Sequence, residues 1–499
     1  MIKPKLSHDE FLTLSQDFDI IPLYVELPAD VDTPVSAFMK IRTGTGDFLF
    51  ESVVGGEKWA RYSFLGTEPQ SLIRLQGSEW LLSKAGEKPQ KIPVDSERPL
   101  SVLEDLLGNE RVYFDERLPR FFGGFVGAFG FEMAKRFEPS IGQSKTVKNQ
   151  PDLLFMQTDT VLIFDNLRQA LLVVATINTK NQNKTQKSES YKQALAKIEH
   201  LTRVIQNQSL ENPYTHKAFT IKKESQNLTQ QQYQDIVTKV RHYIEAGDIF
   251  QAVLSLRFDL ETTGVDPLVI YRAIRSINPS PYMYYLGFDD VAIVGASPEV
   301  LMRLEEGHLE VRPIAGTRKR GRSEKEDLAL EKELLSDPKE KAEHVMLVDL
   351  GRNDVGRVSK IGSVQVDEQE IVERYSHVMH LVSHVSGELA QGKSVFDAIA
   401  ATFPAGTLSG APKIRAMQII DELEPDARGF YGGAVGYISY SGNADLAIVI
   451  RTAVIHGATV SLQAGAGIVY NSDPQKEYEE CLNKAKAMMS AIKSEAGHA

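Results

Sequence analysis

The sequence predicts an α+β fold whose strands pair antiparallel. Three observations carry this. The run "TVLIFDNLRQALLVVATI" holds two apolar strands around a polar break at Asp165-Asn166, and so short a connection forces an antiparallel hairpin. The first ~175 residues contain further alternating strings, "DFLFESVV" and "RYSFLG" among them. Later the apolar positions switch to the helical period, as at Tyr233, Ile236, Val237, Val240 and Ile244.

In chain order, the strand-rich part ends near Asn178, where the composition turns polar up to about Asn227. "NTKNQNKTQKSES" lacks the apolar side chains needed to offset the entropy of fixing its backbone, so it reads as loop or linker. Helical spacing returns from Tyr191 to Gln206, a helix crossing between two halves. The helix through Tyr233 stops at Gly247, and a strand follows. One echo joins the halves: "FFGGFVGAF" begins at Phe121 and "FYGGAVGYI" at Phe430. Both read as strands whose glycines admit close backbone approach. They are either a chance recurrence or the mark of two similar halves packed about a pseudo-twofold.

The chain has 499 residues and a formal net charge of −11. That acidity argues against general nucleic-acid binding, which needs a basic surface to displace counterions. Cys481 is the only cysteine, so no intrachain disulfide forms, as suits a reducing compartment. The start "MIKPKLSHDEF" has no signal-peptide core, and no stretch approaches the ~20 apolar residues of a membrane span. A soluble, cytoplasmic protein that binds no membrane is expected.

Two helices carry matched carboxylate pairs. In "SDPKEKAEHVMLVDLGRND", Asp337 suits the N-cap and Pro338 the first turn, and Glu340 and Glu343 share one face. "SDPQKEYEECLNKAKAMMSAIK" repeats the device with Asp473, Pro474, Glu477 and Glu480, and Lys484 one turn on. A single Glu-x-x-Glu is usually a solvated face favoured by the helix dipole. Two matched pairs weaken that reading, because converging carboxylates repel unless a cation lies between them. Hard oxygen donors select Mg2+ or Ca2+.

Other pieces suit an anion. Gly465-Ala466-Gly467 follows an apolar strand, and small residues let backbone N–H groups approach a ligand. "PAGTLSGAPKIRAMQII" runs a small-residue loop into a helix bearing Lys413 and Arg415. Arg451 ends "DLAIVIR", as suited to a rim ion pair as to a carboxylate clamp. "RPIAGTRKRG" (312–321) concentrates cations around Ala315-Gly316-Thr317. His377, His380 and His384 cluster in "YSHVMHLVSHVSGEL"; with no acid at zincin spacing they are not a metal pair, and a lone buried histidine is more often structural than catalytic.

Taken together, these strings resemble the chorismate-using enzymes, and within them the anthranilate synthase component I group. The resemblance rests on "GDIFQAVLS", "NPSPYMYYL", "GASPE", "RPIAGTRKRG", "EHVMLVDLGRNDVGRV", "YSHVMHLVS", "GTLSGAPK", "YGGAVGY", "IVIRTA", "QAGAGIV" and "EYEECLNKA", in order over about 25–490. It implies two facing antiparallel sheets with helices packed outside. It also implies Mg2+ held by Glu343 and Glu480, with Glu340 and Glu477 nearby, gripping the substrate's ring carboxylate. Tyr431, Arg451 and Gly465, Ala466 and Gly467 match positions holding the enolpyruvyl carboxylate, with Lys484 beside them. Gly316 and Thr317 match a substrate-contacting pair, His380 the histidine of pyruvate elimination, and Glu340 is taken as the acid for the leaving hydroxyl.

Within that resemblance two residues separate the products. Relatives that add water carry a lysine base at the position of Gln251, and aminodeoxychorismate synthases a nucleophilic lysine at that of Ala315. Glutamine and alanine do neither job, which points to ammonia as nucleophile and anthranilate as product. The alternatives are another product of the same family or a non-catalytic tryptophan sensor. Residues 1–215 resemble a regulatory half ending in the polar linker, and residues 216–499 the chorismate-binding half. Ser52, Pro281, Tyr282 and Met283 match a tryptophan inhibitor site, although Phe50 departs from that site's "LLES" pattern. No glutaminase cysteine is at hand, so a glutamine amidotransferase partner is implied, in a two-plus-two hetero-tetramer that opens tryptophan biosynthesis.

Overall fold

The computed structural model describes residues 4–52, 61–142, 145, 150–210, 215, 217–374 and 378–497. His377, the Val53-Val54 end of "DFLFESVV" and residue 216 at the expected boundary between halves lie outside them.

Two large antiparallel sheets form the protein. With strands numbered in chain order, the first runs β1 (Ile20–Pro28), β10 (Ala170–Asn178), β9 (Thr160–Asp165), β3 (Tyr62–Gly66), β2 (Asp47–Glu51), β13 (Tyr282–Gly287), β14 (Val291–Ser297), β23 (Thr452–His456), β24 (Thr459–Ile468), β12 (Gln251–Thr262) and β11 (Ile221–Gln226). The second runs β17 (Ile314–Lys319), β19 (Val378–Glu388), β16 (His308–Val311), β15 (Val300–Glu305), β22 (Ala444–Ile448), β21 (Ala434–Ser439), β7 (Gly124–Phe129), β8 (Leu153–Thr158), β4 (Ser71–Gln76), β5 (Glu79–Lys84) and β6 (Gln90–Pro93). Phe48, Phe64, Ile163 and Tyr284 of the first sheet meet Val126, Met156, Val435 and Tyr437 of the second in one buried core. Helices cover both outer faces through separate cores, so the sheets face each other with helices outside. Among the described residues no helix is long and apolar enough to cross a membrane.

The predicted hairpin forms, with Ala170 opposite Asp165. The linker reading of "NTKNQNKTQKSES" fails over half its length. A helix spans Lys184–Asn207, seven residues before the expected start. Asn183 accepts from the Gln186 amide, and the Gln186 side chain accepts from the Asn183 amide. This reciprocal cap starts a polar first turn that faces solvent. The apolar stripe from Tyr191 through Ile198 and Ile205 then docks on the first sheet. Composition alone misleads here, because one anchored stripe stabilises a helix whose remaining faces are polar.

The glycine echo is structural. β7 and β21 are neighbours, with Gly127 opposite Gly436, Val126 opposite Tyr437 and Ala128 opposite Val435. Exchanging the two copies leaves these pairs unchanged, so a local twofold passes between the two glycines. The first sheet repeats the symmetry. Outward from the β2–β13 seam, β2-β3-β9-β10-β1 mirrors β13-β14-β23-β24-β12. The helices match too: Pro34–Ile41 precedes β2 as Pro267–Ile277 precedes β13, and Lys184–Asn207 follows β10 as Pro474–Glu495 follows β24. Each sheet is therefore half from either end of the chain.

A β-carbon on Gly127 would lie 2.1 Å from the Leu154 carbonyl oxygen, inside backbone that cannot yield. Gly127→Ala is therefore expected to destabilise the protein by about 2–4 kcal/mol, read as a lower urea midpoint with unchanged m-value.

Candidate active site

β17 and β19 build one wall. A bulge between Ala315 and Thr317 displaces Gly316, which takes a left-handed φ of +62°. A β-carbon there would meet Leu334 at 2.8 Å and the Glu340 carboxylate at 3.1 Å, so glycine is what lets the strand pass beneath Glu340. Ala315 is buried opposite Leu381. The four cations of this segment divide as follows. Arg312 pairs with Glu373, Arg318 with Glu333, Asp337 and Glu340, and Arg320 with Asp327, while Lys319 is exposed. The three arginines are taken up by the wall's own acids, and Thr317 is left exposed.

His380 lies directly across from Thr317. Its Nδ1 is 2.9 Å from the Gly316 carbonyl oxygen and 3.1 Å from Thr317 Oγ1. A carbonyl only accepts, so Nδ1 carries the hydrogen and Nε2 the basic lone pair. Burial holds the imidazole below its ordinary pKa, and the Arg451 charge adds to this. His380 and His384 share one strand, so their Cα atoms are roughly 13 Å apart at strand rise. His384 lies instead between Glu310 and Asp367.

The two acidic pairs arrive on helices as the capping signals predict. Asp337 accepts from the Lys339 and Glu340 amides, and Asp473 from those of Gln475 and Lys476. Burial raises the Glu343 carboxyl above its ordinary range, and the Glu340 and Glu480 charges raise it further, so the two helices bring their acids within mutual influence. Burial raises Glu477 likewise, with Glu480 adding to it. Lys484 holds Glu480 at 2.8 Å and donates to the Gly465 carbonyl at 2.9 Å. Among the described residues no three His, Cys, Asp or Glu side chains are arranged to hold a metal ion unaided. The donor set is nonetheless hard oxygen, and the Glu343 carboxyl, raised first by burial and then by the Glu340 and Glu480 charges, stands where a divalent cation would offset neighbouring negative charge. Glu343 and Glu480 fit part of an Mg2+ shell, the type that substrate oxygens complete.

The opposite wall belongs to the first sheet. Gly465, Ala466 and Gly467 of β24 pair with Ser255, Leu254 and Val253. A β-carbon on Gly465 would fall 2.8 Å from the Tyr431 hydroxyl, and one on Gly467 2.3 Å from the Gln251 amide nitrogen. These glycines make room for Tyr431 and Gln251 respectively. Arg451 stands exposed between β22 and β23 with a left-handed φ of +50°, its guanidinium 3.4 Å from Asn278 Oδ1.

Glu299, which ends the "GASPE" string, is the residue that sequence reasoning left without a role. It is half-buried, and Thr407 Oγ1 donates to it at 2.9 Å. Burial pushes its carboxyl up to about 7, against the pull of Thr407, Arg451 and Lys484. Nothing in the spacing announces this, since it arises from tertiary enclosure. Conversely, Lys413 and Arg415 do not face the cleft. Lys413 is buried against Asp354 at 2.7 Å, and Arg415 pairs with Asp248 at the surface. Cys481 is buried, with Sγ 3.1 Å from the Tyr233 hydroxyl, and burial pushes its thiol up to about 12.

The residues predicted for an inhibitor lie elsewhere, around a cavity of about 280 Å3 between the sheets. Phe50, Ser52, Pro281, Tyr282 and Met283 line it, with Tyr284, Val435 and Tyr437. Arg303 and Asp445 form a 2.8 Å ion pair in its wall. Among the described residues the buried Ser52 hydroxyl has no hydrogen-bond partner. The pocket therefore lies over the β2–β13 seam of the first sheet and against β21 and β22 of the second.

The family model for chorismate binding enzymes matches residues 53–490. Anthranilate synthase component 1 of Aquifex aeolicus is 47% identical over 489 residues, covering 98% of this chain and 97% of that protein. The Acetivibrio thermocellus protein of the same name is 44% identical, covering 98% of both chains. The solved structure of anthranilate synthase component I from Streptococcus pneumoniae superposes with a TM-score of 0.74 at 37% identity, over 93% of this chain and 98% of that one. The menaquinone-specific isochorismate synthase of Escherichia coli, at 19% identity and a TM-score of 0.69 over 95% of each chain, shares the fold.

The Glu299 carboxyl rises from an ordinary 4.5 to about 7 on folding. Below the lower value both states are protonated and folding bears no penalty. As pH rises through the interval the unfolded chain ionises first, so the wild type loses stability. Glu299→Gln removes that loss, and its stability relative to wild type should grow by about 2 kcal/mol between pH 5.5 and 8.5 in urea unfolding. A pH-independent difference would show that Glu299 ionises normally.

Proposed function

We infer the reaction from the premise that this chain belongs to the chorismate-binding enzyme family and is an enzyme of lyase type. The reading supported best is the ammonia-using subunit that converts chorismate to anthranilate and pyruvate. One observation carries the choice of product. The two positions at which relatives would bear an amine are Gln251, packed on Gly467, and Ala315, buried beside the bulge. Neither side chain can deprotonate water or attack the ring, so ammonia is the direct nucleophile.

Arg451, Tyr431 and the 465–467 backbone would hold the enolpyruvyl carboxylate, with Lys484 fixing the Gly465 carbonyl. The Gly316-Thr317 bulge would lie against the ring. Glu343 and Glu480 would hold Mg2+, with Glu340 and Glu477 beside them; when bound, the ion draws electron density into the ring carboxylate. Ammonia adds to the ring as the hydroxyl leaves as water. We assign the proton for that water to Glu299. Its carboxyl is poised near neutrality, whereas Glu340 is tied to Arg318 at 3.2 Å as an ion pair. His380 Nε2 then takes the ring proton as pyruvate departs and the ring becomes aromatic.

The inert, buried Cys481 cannot activate glutamine, so ammonia would come from a separate glutamine amidotransferase, in a hetero-tetramer of two plus two. The name "component 1" carried by the relatives accords with such a partner. Tryptophan would fill the cavity around Ser52 and Met283, whose walls come from both 1–215 and 216–499, making the chain a feedback-regulated cytoplasmic enzyme of tryptophan biosynthesis.

Purified chain supplied with chorismate, Mg2+ and ammonium at raised pH should produce fluorescent anthranilate and equimolar pyruvate, and chelation should stop it. Isochorismate or aminodeoxychorismate as the chromatographed product would overturn the reading. Glu299→Gln should lower kcat by about 10²–10⁴-fold, more than Glu340→Gln, if Glu299 is the acid. Glu343→Gln should weaken Mg2+ binding in calorimetry, separately from any effect on rate.

A further inference from the structure

One row of side chains crosses the first sheet from the inhibitor cavity to the substrate cleft. Phe50 of β2 is opposite Tyr284 of β13, Tyr284 is opposite Gly295 of β14, and Gly295 is opposite Thr452 of β23. Phe50 and Tyr284 line the cavity, and Thr452 directly follows Arg451. Gly295 is what makes the row continuous. A β-carbon there would stand 2.7 Å from the Tyr284 ring and 2.6 Å from Thr452 Oγ1. Without it the ring lies across the strand, and its hydroxyl reaches Thr452 Oγ1 at 2.5 Å.

The direction of this bond is fixed. Thr452 Oγ1 donates its hydrogen to the Ile450 carbonyl at 2.8 Å, so the Tyr284 hydroxyl donates to Thr452. Burial holds that phenol above its ordinary pKa, which keeps the donor in place. The chain Tyr284–Thr452–Ile450 thus clamps the turn on both sides of Arg451. The clamp matters because Arg451 sits at φ +50°, where a non-glycine residue stays only when its surroundings hold it. A second tie from the same segment, Asn278 Oδ1, takes the guanidinium itself.

We propose that the Tyr284 hydroxyl, laid across Gly295 onto Thr452, is the link through which a ligand in the cavity governs the posture of Arg451. The cavity and the cleft do not overlap, so inhibition must be transmitted. A ligand that tilts the Tyr284 ring withdraws the hydroxyl from Thr452 and frees the strained turn. Arg451 then no longer presents its guanidinium to a substrate carboxylate. Tyr284 and Thr452 are positioning residues in this scheme. The inference rests on the reading above, in which tryptophan fills the cavity and Arg451 holds chorismate.

Coupling between sites is reciprocal, so it is read as the change one ligand makes in the affinity of the other. Tryptophan is titrated calorimetrically into the full chain with and without saturating chorismate, with Mg2+ and without ammonium so that no nucleophile is present. In wild type, chorismate should weaken tryptophan about 10-fold or more. In Thr452→Val, which leaves the cavity lining intact, and in Tyr284→Phe, that factor should shrink to about 2-fold, while tryptophan alone still binds within about 5-fold of wild type. The double variant should match the singles, because one bond is removed in each. Thr452→Ser, which keeps the hydroxyl, should restore the factor. Tryptophan binding to both variants with the wild-type factor intact would overturn the link. No tryptophan binding to wild type would instead overturn the cavity reading, and the link with it.

Discussion

The closure of two sheets over glycine governs the rest of this structure. At the centre of the second sheet, Gly127 and Gly436 face each other across a local twofold, and each lets a neighbouring strand approach where a β-carbon would strike carbonyl oxygen. The β7–β21 pairing joins the two ends of the chain in this sheet, as the β2–β13 pairing joins them in the other. Tyr431 lies just before β21, and Val435 and Tyr437 on β21 line the second cavity. The candidate substrate wall and the cavity wall thus share one short stretch of chain, the turn at Tyr431 and the strand that follows it.

Buried charge does the finer positioning. The loop before Tyr431 is held by Glu132, which accepts from the Arg428 and Gly429 amides, and burial raises that carboxyl to about 7. Arg428 in turn is gripped by Glu424 and donates to the Leu408 and Val253 carbonyls while its guanidinium stacks over Phe131. Lys413 and Asp354 fasten the helix of Glu340 and Glu343 from behind. Such pairs add little net stability, since desolvation offsets their attraction, but breaking one leaves a charge stranded. Their consequence is geometric: they fix which carbonyls and rings may approach the cleft.

Much of this was legible beforehand, and the limits have physical causes. The hairpin, the proline-started helices and the two glutamate pairs are local, governed by neighbours in sequence, and they stand where spacing places them. The glycine echo left two readings open, because only pairing distinguishes chance from symmetry. Composition failed at Lys184–Asn207, where a cap and one apolar stripe outweigh seven polar residues. Chemistry created by enclosure was invisible. Glu299 is unremarkable in a string of letters, and Lys413 reads as an anion ligand until Asp354 is found beside it. The Tyr284–Thr452 bond joins residues 168 positions apart, through a gap that only Gly295 opens.

The same enclosure bears on what the glutamine at position 251 would contribute to the proposed reaction. Gln251 is buried on Gly467, and its Oε1 has no hydrogen-bond partner among the described residues. A buried amide oxygen accepts hydrogen bonds but cannot remove a proton at neutral pH. Water needs deprotonation to attack, so this environment gives water no assistance. Ammonia attacks through its own lone pair and still has three hydrogens to donate, one of which an orphan acceptor would orient. On the proposed function the side chain would select by what it declines to do: it would orient incoming ammonia and leave water unactivated, without a lysine that would have to be buried uncharged.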